Sequence, residues 1–110
     1  MQVRGEGDRP VAGGGAPALV LVAESAIAGA VRVTLGAEPV LIGRDAANPV
    51  RDQNLDVSRF HCRVEPREDG RHVLVDSGSK FGTWLDGVRI ATPALLRAGH
   101  VIGKIGRAHV

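Results

Sequence analysis

Three short stretches of this chain hold the residues best suited to chemistry. They are Gly43-Arg44, then Ser58-Arg59-Phe60-His61, then the run from Asp76 to Thr83, which reads Asp-Ser-Gly-Ser-Lys-Phe-Gly-Thr. Together they set two arginines, a lysine and several hydroxyls at strand ends and in loops. A phosphate group at neutral pH carries nearly two negative charges and three strong acceptor oxygens. Holding one takes several convergent donors, preferably including a guanidinium. Arg44 follows a glycine at the end of an apolar strand, so its side chain can reach over the loop tip. Ser58 offers a hydroxyl and a backbone N–H, and Lys80 adds a point charge. Competing chemistries fit less well. Ser58, His61 and Asp76 contain the residue types of a hydrolase triad, but the Gly-x-Ser-x-Gly elbow is absent and Ser and His stand only three apart. His61, His72 and His100 lack ligand spacing for a metal. The expectation is therefore anion recognition, with no catalytic residues, metal or cofactor.

The elements that must carry these loops are strands. Val31, Val33 and Leu35 alternate with Arg32 and Thr34, a period of two. Leu19–Ala23 is apolar throughout, and Val40-Leu41-Ile42 is a short buried strand. Asp45–Asn54 reads as a polar loop. Cys62 and Val64 alternate with His61, Arg63 and Glu65, a turn falls at Glu68-Asp69-Gly70, and His72–Val75 forms a central strand. Asp86-Gly87 between two strand runs predicts a two-residue hairpin. Ala94–Leu96 and Val101-Ile102 follow. The Ala-rich segment Ala23–Val31 contains Gly29 and β-branched residues, so it reads as a loop or bent strand. Short strands at regular spacing with glycine turns predict an all-β, two-sheet antiparallel β-sandwich.

In this order and spacing the motifs resemble the forkhead-associated (FHA) domain, whose pattern runs Gly-Arg, Ser-Arg-x-His, Asp-x-x-Ser-x-Asn-Gly-Thr, Asn-Gly. The resemblance covers residues 18–103. Phe81 stands where the family usually has Asn, and Asp86 where it often has Asn. The form Ser-Lys-aromatic-Gly-Thr is similar to the nibrin-like subtype. The resemblance implies a non-catalytic module that binds a phosphothreonine-containing protein and so recruits its parent protein. It implies direct phosphate contacts from Arg44 and Ser58, further peptide or phosphate contacts from Arg59 and Lys80, and a peptide-facing place for Phe81. His61 would be architectural, and Gly43, Gly82 and Thr83 would support the loops. The nibrin-like form implies the nucleus and the DNA double-strand-break response, and otherwise the cytoplasm is expected. The rival reading is a β-domain that meets its partner through the same loops without phosphate.

The chain has 110 residues, enough for one core, and 44% are hydrophobic. It lacks an apolar run of 18 residues, so no membrane span is expected. One cysteine, Cys62, excludes an internal disulfide and favours an intracellular setting. The formal charge of +2 invites a nucleic-acid reading. However, Ile105-Gly106-Arg107-Ala108-His109-Val110 can be encoded by ATC GGA AGA GCA CAC GTC, the start of a common sequencing-adapter oligonucleotide. Residues 104–110 are therefore expected to be a non-native, adapter-derived tail that truncates the C-terminal strand. Without Lys104 and Arg107, the 14 basic residues become 12, equal to the 12 acidic ones. With that neutrality and only three aromatics, direct nucleic-acid binding is not expected. Residues 1–17, rich in glycine and proline, are expected to be a flexible leader. If the return strand is missing, Leu19–Ala23 becomes an exposed edge.

Overall fold

The computed structural model describes residues 2–7, 19–25, 29–52 and 55–103. In chain order its strands are β1 (Gln2–Gly7), β2 (Leu19–Ser25), β3 (Gly29–Thr34), β4 (Val40–Gly43), β5 (Val50–Arg51) and β6 (Cys62–Pro66). They continue as β7 (His72–Asp76), β8 (Trp84–Leu85), β9 (Val88–Arg89), β10 (Ala94–Leu96) and β11 (Val101–Ile102). One sheet has the order β3-β2-β1-β11-β8-β9 and the other β10-β7-β6-β4-β5. Their inner faces share one core, in which Val3, Leu21 and Ile102 of the first sheet join Ile42, Val64 and Leu74 of the second. The expected sandwich is thus present, and among the described residues all strand pairs are antiparallel except one. β4 and β5 run parallel, with Ile42 opposite Val50. Val50 lies inside the segment expected to be only a polar loop, yet it is 1% exposed. Burying that side chain stabilises the fold by ~1.5–3 kcal/mol and draws the loop back against the sheet.

The expectation of a flexible leader fails for its first part. β1 pairs with β2 from Gln2 opposite Glu24 to Gly7 opposite Leu19, and with β11 at Val3 and Arg4. Its strand pattern was hidden by glycine at two positions. A Cβ on Gly5 would stand 3.0 Å from the Arg97 carbonyl oxygen, and the Gly5 N–H donates to His100 O at 2.9 Å. Glycine is used there for close backbone approach. On the outer face Glu6 pairs with Arg4 at 2.9 Å and with Arg32 at 3.3 Å. β2 is therefore an interior strand between β1 and β3, not an exposed edge. β11 makes the return pairing to β1 and also meets β8, with Ile102 1% exposed. The N-terminal boundary of the folded unit moves from residue 18 to residue 2. The remaining leader residues described by that expectation, 8–17, and the adapter-like residues 104–110 lie outside the described residues.

The hairpin expected at Asp86-Gly87 is present. Both residues have positive φ, 50° and 81°, as a type I′ turn requires. The Asp86 carboxylate also accepts the Val101 N–H at 2.7 Å, which ties the hairpin to β11.

Candidate functional site

Three segments meet at one end of the sandwich: the end of β4, the loop before β6, and the loop that crosses from β7 in one sheet to β8 in the other. The first two are joined backbone to backbone. Arg44 N donates to Ser58 O at 3.0 Å, Asp45 N to Arg59 O at 3.1 Å, and His61 N to Ile42 O at 2.9 Å. Gly43 makes this approach possible. A Cβ there would lie 2.2 Å from the Arg59 carbonyl oxygen and 2.8 Å from that of Ser58. The requirement is for space, because the obstructing atoms are backbone.

His61 joins the second segment to the third. It is fully buried. Its Nδ1 accepts the Ser58 N–H at 3.0 Å, so its proton sits on Nε2, which donates to Gly82 O at 2.6 Å. Burial holds its pKa below the ordinary imidazole value of 6.5, with the Gly82 carbonyl, Asp76 and Asp52 pulling the other way. Both ring nitrogens are thereby used on backbone, and none remains to act as a base toward the Ser58 hydroxyl. His61 thus links the loop before β6 to the loop after β7.

The third segment is wound around Asp76. Its carboxylate accepts from Gly78 N and Ser79 N, each at 3.1 Å, from Ser79 Oγ, and from Thr83 Oγ1 at 2.7 Å. Burial pushes the Asp76 pKa up, but these bonds outweigh it and hold the group below the ordinary value of 3.8. Ser79 Oγ in turn accepts Gly82 N at 2.9 Å. Gly82 has φ +97°, and a Cβ there would meet the Arg89 guanidinium at 2.5 Å. Thr83 is fully buried. Gly43, His61, Gly82 and Thr83 thus stand where they hold the loops.

On this frame the expected contact residues come together. Arg44 is half-buried, and its Nε donates to Val57 O at 3.0 Å. That bond fixes the guanidinium, and its two terminal amino groups have no partner among the described residues. Ser58 Oγ accepts the Lys80 N–H at 3.1 Å, which leaves the hydroxyl proton available to donate. Arg59 and Lys80 are exposed, and the Lys80 ammonium stands 5.4 Å from the Phe81 ring centroid. Phe81 is 39% exposed, so it belongs to the surface and not to the core.

Two supports escaped sequence reasoning. Asn48 is buried, and its Nδ2 donates to Arg59 O at 2.7 Å. Arg51 donates from Nε to the Arg44 carbonyl at 3.0 Å. Neither carries a local pattern that separates it from an ordinary polar loop residue. Their partners lie 11 and 7 positions away, on backbone that only the fold brings close.

The two-sheet frame thus brings the Arg44 guanidinium and the Ser58 hydroxyl together on hydrogen-bonded loops at one end of the sandwich. The family model for the FHA domain matches residues 40–103, more than half of the chain, and the chain belongs to that family. It is 38% identical over 88 residues to the FHA domain-containing protein FhaB of Mycolicibacterium smegmatis, covering 80% of this chain and 55% of that protein. The chain therefore spans about half the length of that curated relative. Among solved structures, it superposes on the FHA domain of CT664 from Chlamydia trachomatis with a TM-score of 0.66 at 18% identity, covering 96% of this chain and 87% of that one. It also superposes on Mycobacterium tuberculosis EmbR in complex with a low-affinity phosphopeptide, with a TM-score of 0.63 at 23% identity, covering 94% of this chain and 28% of that one.

Proposed function

We propose that this chain is a non-catalytic module that binds phosphothreonine peptides and recruits its parent protein to a phosphorylated partner. The observation that carries the reading is the half-buried Arg44. Its guanidinium is held through Nε, with both terminal amino groups open among the described residues, and Ser58, whose hydroxyl proton is available to donate, follows the Val57 carbonyl that holds it. Arg44 and Ser58 supply convergent donors to a phosphate, and exposed Arg59 and Lys80 add positive charge around it. The commitment of His61 to two backbone groups supports binding over hydrolysis. Family membership and the phosphopeptide bound to EmbR support the same class of ligand.

The nuclear, DNA-break setting rests on resemblance in the form of Ser79-Lys80-Phe81 and has no support from the relatives. Likeness to a bacterial protein over 80% of the chain supports a bacterial setting instead. The phosphate-independent rival is separated by one titration. A degenerate phosphothreonine peptide pool, read by fluorescence anisotropy, binds wild type and is displaced by inorganic phosphate. Arg44→Ala weakens binding by ~1.5–3 kcal/mol, about 10- to 150-fold, with an unchanged melting temperature. Equal affinity for phosphorylated and unphosphorylated pools would favour the rival.

A further inference from the structure

The opposite end of the sandwich holds a second concave region. β6 runs from Cys62, which pairs with Ile42 near the end of β4, to Pro66, and β7 returns from His72 to Asp76. The turn between Pro66 and His72 therefore lies about 13 Å or more from the loops of Arg44 and Ser58, four residue steps along a strand. A cavity of about 670 Å³ opens there, within the roughly 300–1,000 Å³ of small-molecule sites. Its apolar wall contains Leu35 and Leu96, both buried, and Leu19 and Leu95, both half-buried. Arg67, Arg71 and Arg97 also line it, against one acidic residue, Glu68. Arg71 is paired with Asp69 at 3.7 Å. The side chains of Arg67 and Arg97 have no partner among the described residues, and they leave the cavity with an excess of positive charge over Glu68.

Both arginines stand on turns fixed by their own hydrogen bonds. Arg67 N donates to Arg71 O at 2.7 Å, and Gly70 N donates to Arg67 O at 3.1 Å. Arg97 N donates to His100 Nδ1 at 3.1 Å, and His100 N donates to Arg97 O at 3.2 Å. Pro66, His72 and Leu96 stand level on three adjacent strands. Arg67 and Arg97, each the next residue, therefore leave the same end of the sheet about 10 Å apart, two strand spacings. Two arginine side chains can close on one anionic group across that width. His72 Nε2 donates to Gly36 O at 3.0 Å and holds the segment after β3 against the same cavity. Leucines in the wall and uncompensated guanidinium groups beside them are the two halves of a site for an amphiphilic anion.

We propose that this cavity binds a small organic anion, with an apolar body against the leucines and a carboxylate or phosphate head between Arg67 and Arg97. The site is separate from the phosphopeptide loops and does not depend on that reading.

Octanoate and octyl phosphate, titrated below their micelle concentrations, are the probes. Octanol is the uncharged control, and inorganic phosphate is the headgroup alone. Binding is read from amide shifts in proton–nitrogen correlation NMR spectra. At least one of the two anions should give saturable shifts at Leu19, at Arg67 to His72 and at Leu95 to Ala98, and the tighter of the two identifies the headgroup. Octanol and inorganic phosphate should each bind there about tenfold more weakly. The double variant Arg67→Gln, Arg97→Gln should lose about tenfold or more in affinity for the anion. Both side chains are exposed, so its melting temperature should match wild type. Absence of saturable shifts, or shifts confined to the loops of Arg44 and Ser58, overturns the proposal. Equal affinity for octanol, equal affinity for inorganic phosphate, or unaltered affinity in the double variant overturns it as well. Tighter binding of an unphosphorylated peptide pool of Glu and Leu at the same amides would assign the surface to a macromolecular partner and overturn the small-ligand site.

Discussion

At the scale of single residues, His61 shows how a buried polar side chain can tie two loops together. It joins the Ser58 amide to the Gly82 carbonyl, and so sets two loops at a fixed separation. His61→Ala leaves both backbone groups unpaired and opens a cavity, and a loss of about 2–4 kcal/mol is expected in chemical denaturation. The imidazole also has a pH signature. Its folded pKa lies below its ordinary value because burial disfavours the charged form. The unfolded chain therefore binds more protons over that interval, and stability is complete above about pH 6.5 and declines as pH falls below it. Thermal melts of the free protein between pH 7.5 and 5 test this. The midpoint falls toward pH 5 in wild type, and the decline over that window is shallower in His61→Ala. Asp76, held below its ordinary value, adds its own loss only at still lower pH.

At the scale of elements, the site depends on how closely the end of β4 approaches the loop ahead of β6. Gly43 is the point of contact, and the atoms facing it are backbone carbonyls that no rotamer change can move. Gly43→Ala should separate the segments, break the bonds from Arg44 N and Asp45 N, and cost ~1–3 kcal/mol or more. Phosphopeptide affinity should fall with it, because Arg44 and Ser58 lose their relative placement. Gly36→Ala is the control, since nothing lies within 4 Å of a Cβ there. Equal melting temperatures and affinities for the two variants would show that the approach is not required.

At the scale of the molecule, the larger sheet is continuous because β1 stands between β2 and β11. Val3 is 3% exposed and belongs to the common core. Removing residues 2–7 exposes the edges of β2 and β11 at once. The expected loss is several kcal/mol, comparable with the ~5–15 kcal/mol that holds a domain folded. A shortened chain starting at Leu19 should melt far below the full chain or fail to stay soluble. An unchanged denaturation midpoint would show that β1 is dispensable.

Much of the site was legible in the chain because its chemistry is local. Ser58 to His61 and Asp76 to Thr83 are contiguous runs, and their loops are built largely from bonds among near neighbours, such as those of Asp76 to Gly78, Ser79 and Thr83. The alternation of Val31 to Leu35 and the Asp86-Gly87 turn were readable for the same reason: periodicity and turn preference act over a few residues. What the amino-acid order left undecided was every feature set by distant backbone. β1 looked like a leader because its glycines carry no apolar signal, and only the approach of Arg97 and His100 gives Gly5 its reason. Val50 looked like part of a loop until β4 offered it a parallel partner. Phe81 could have faced inward or outward, since ring burial depends on what the fold places around it. Tertiary packing left it at the surface beside Lys80.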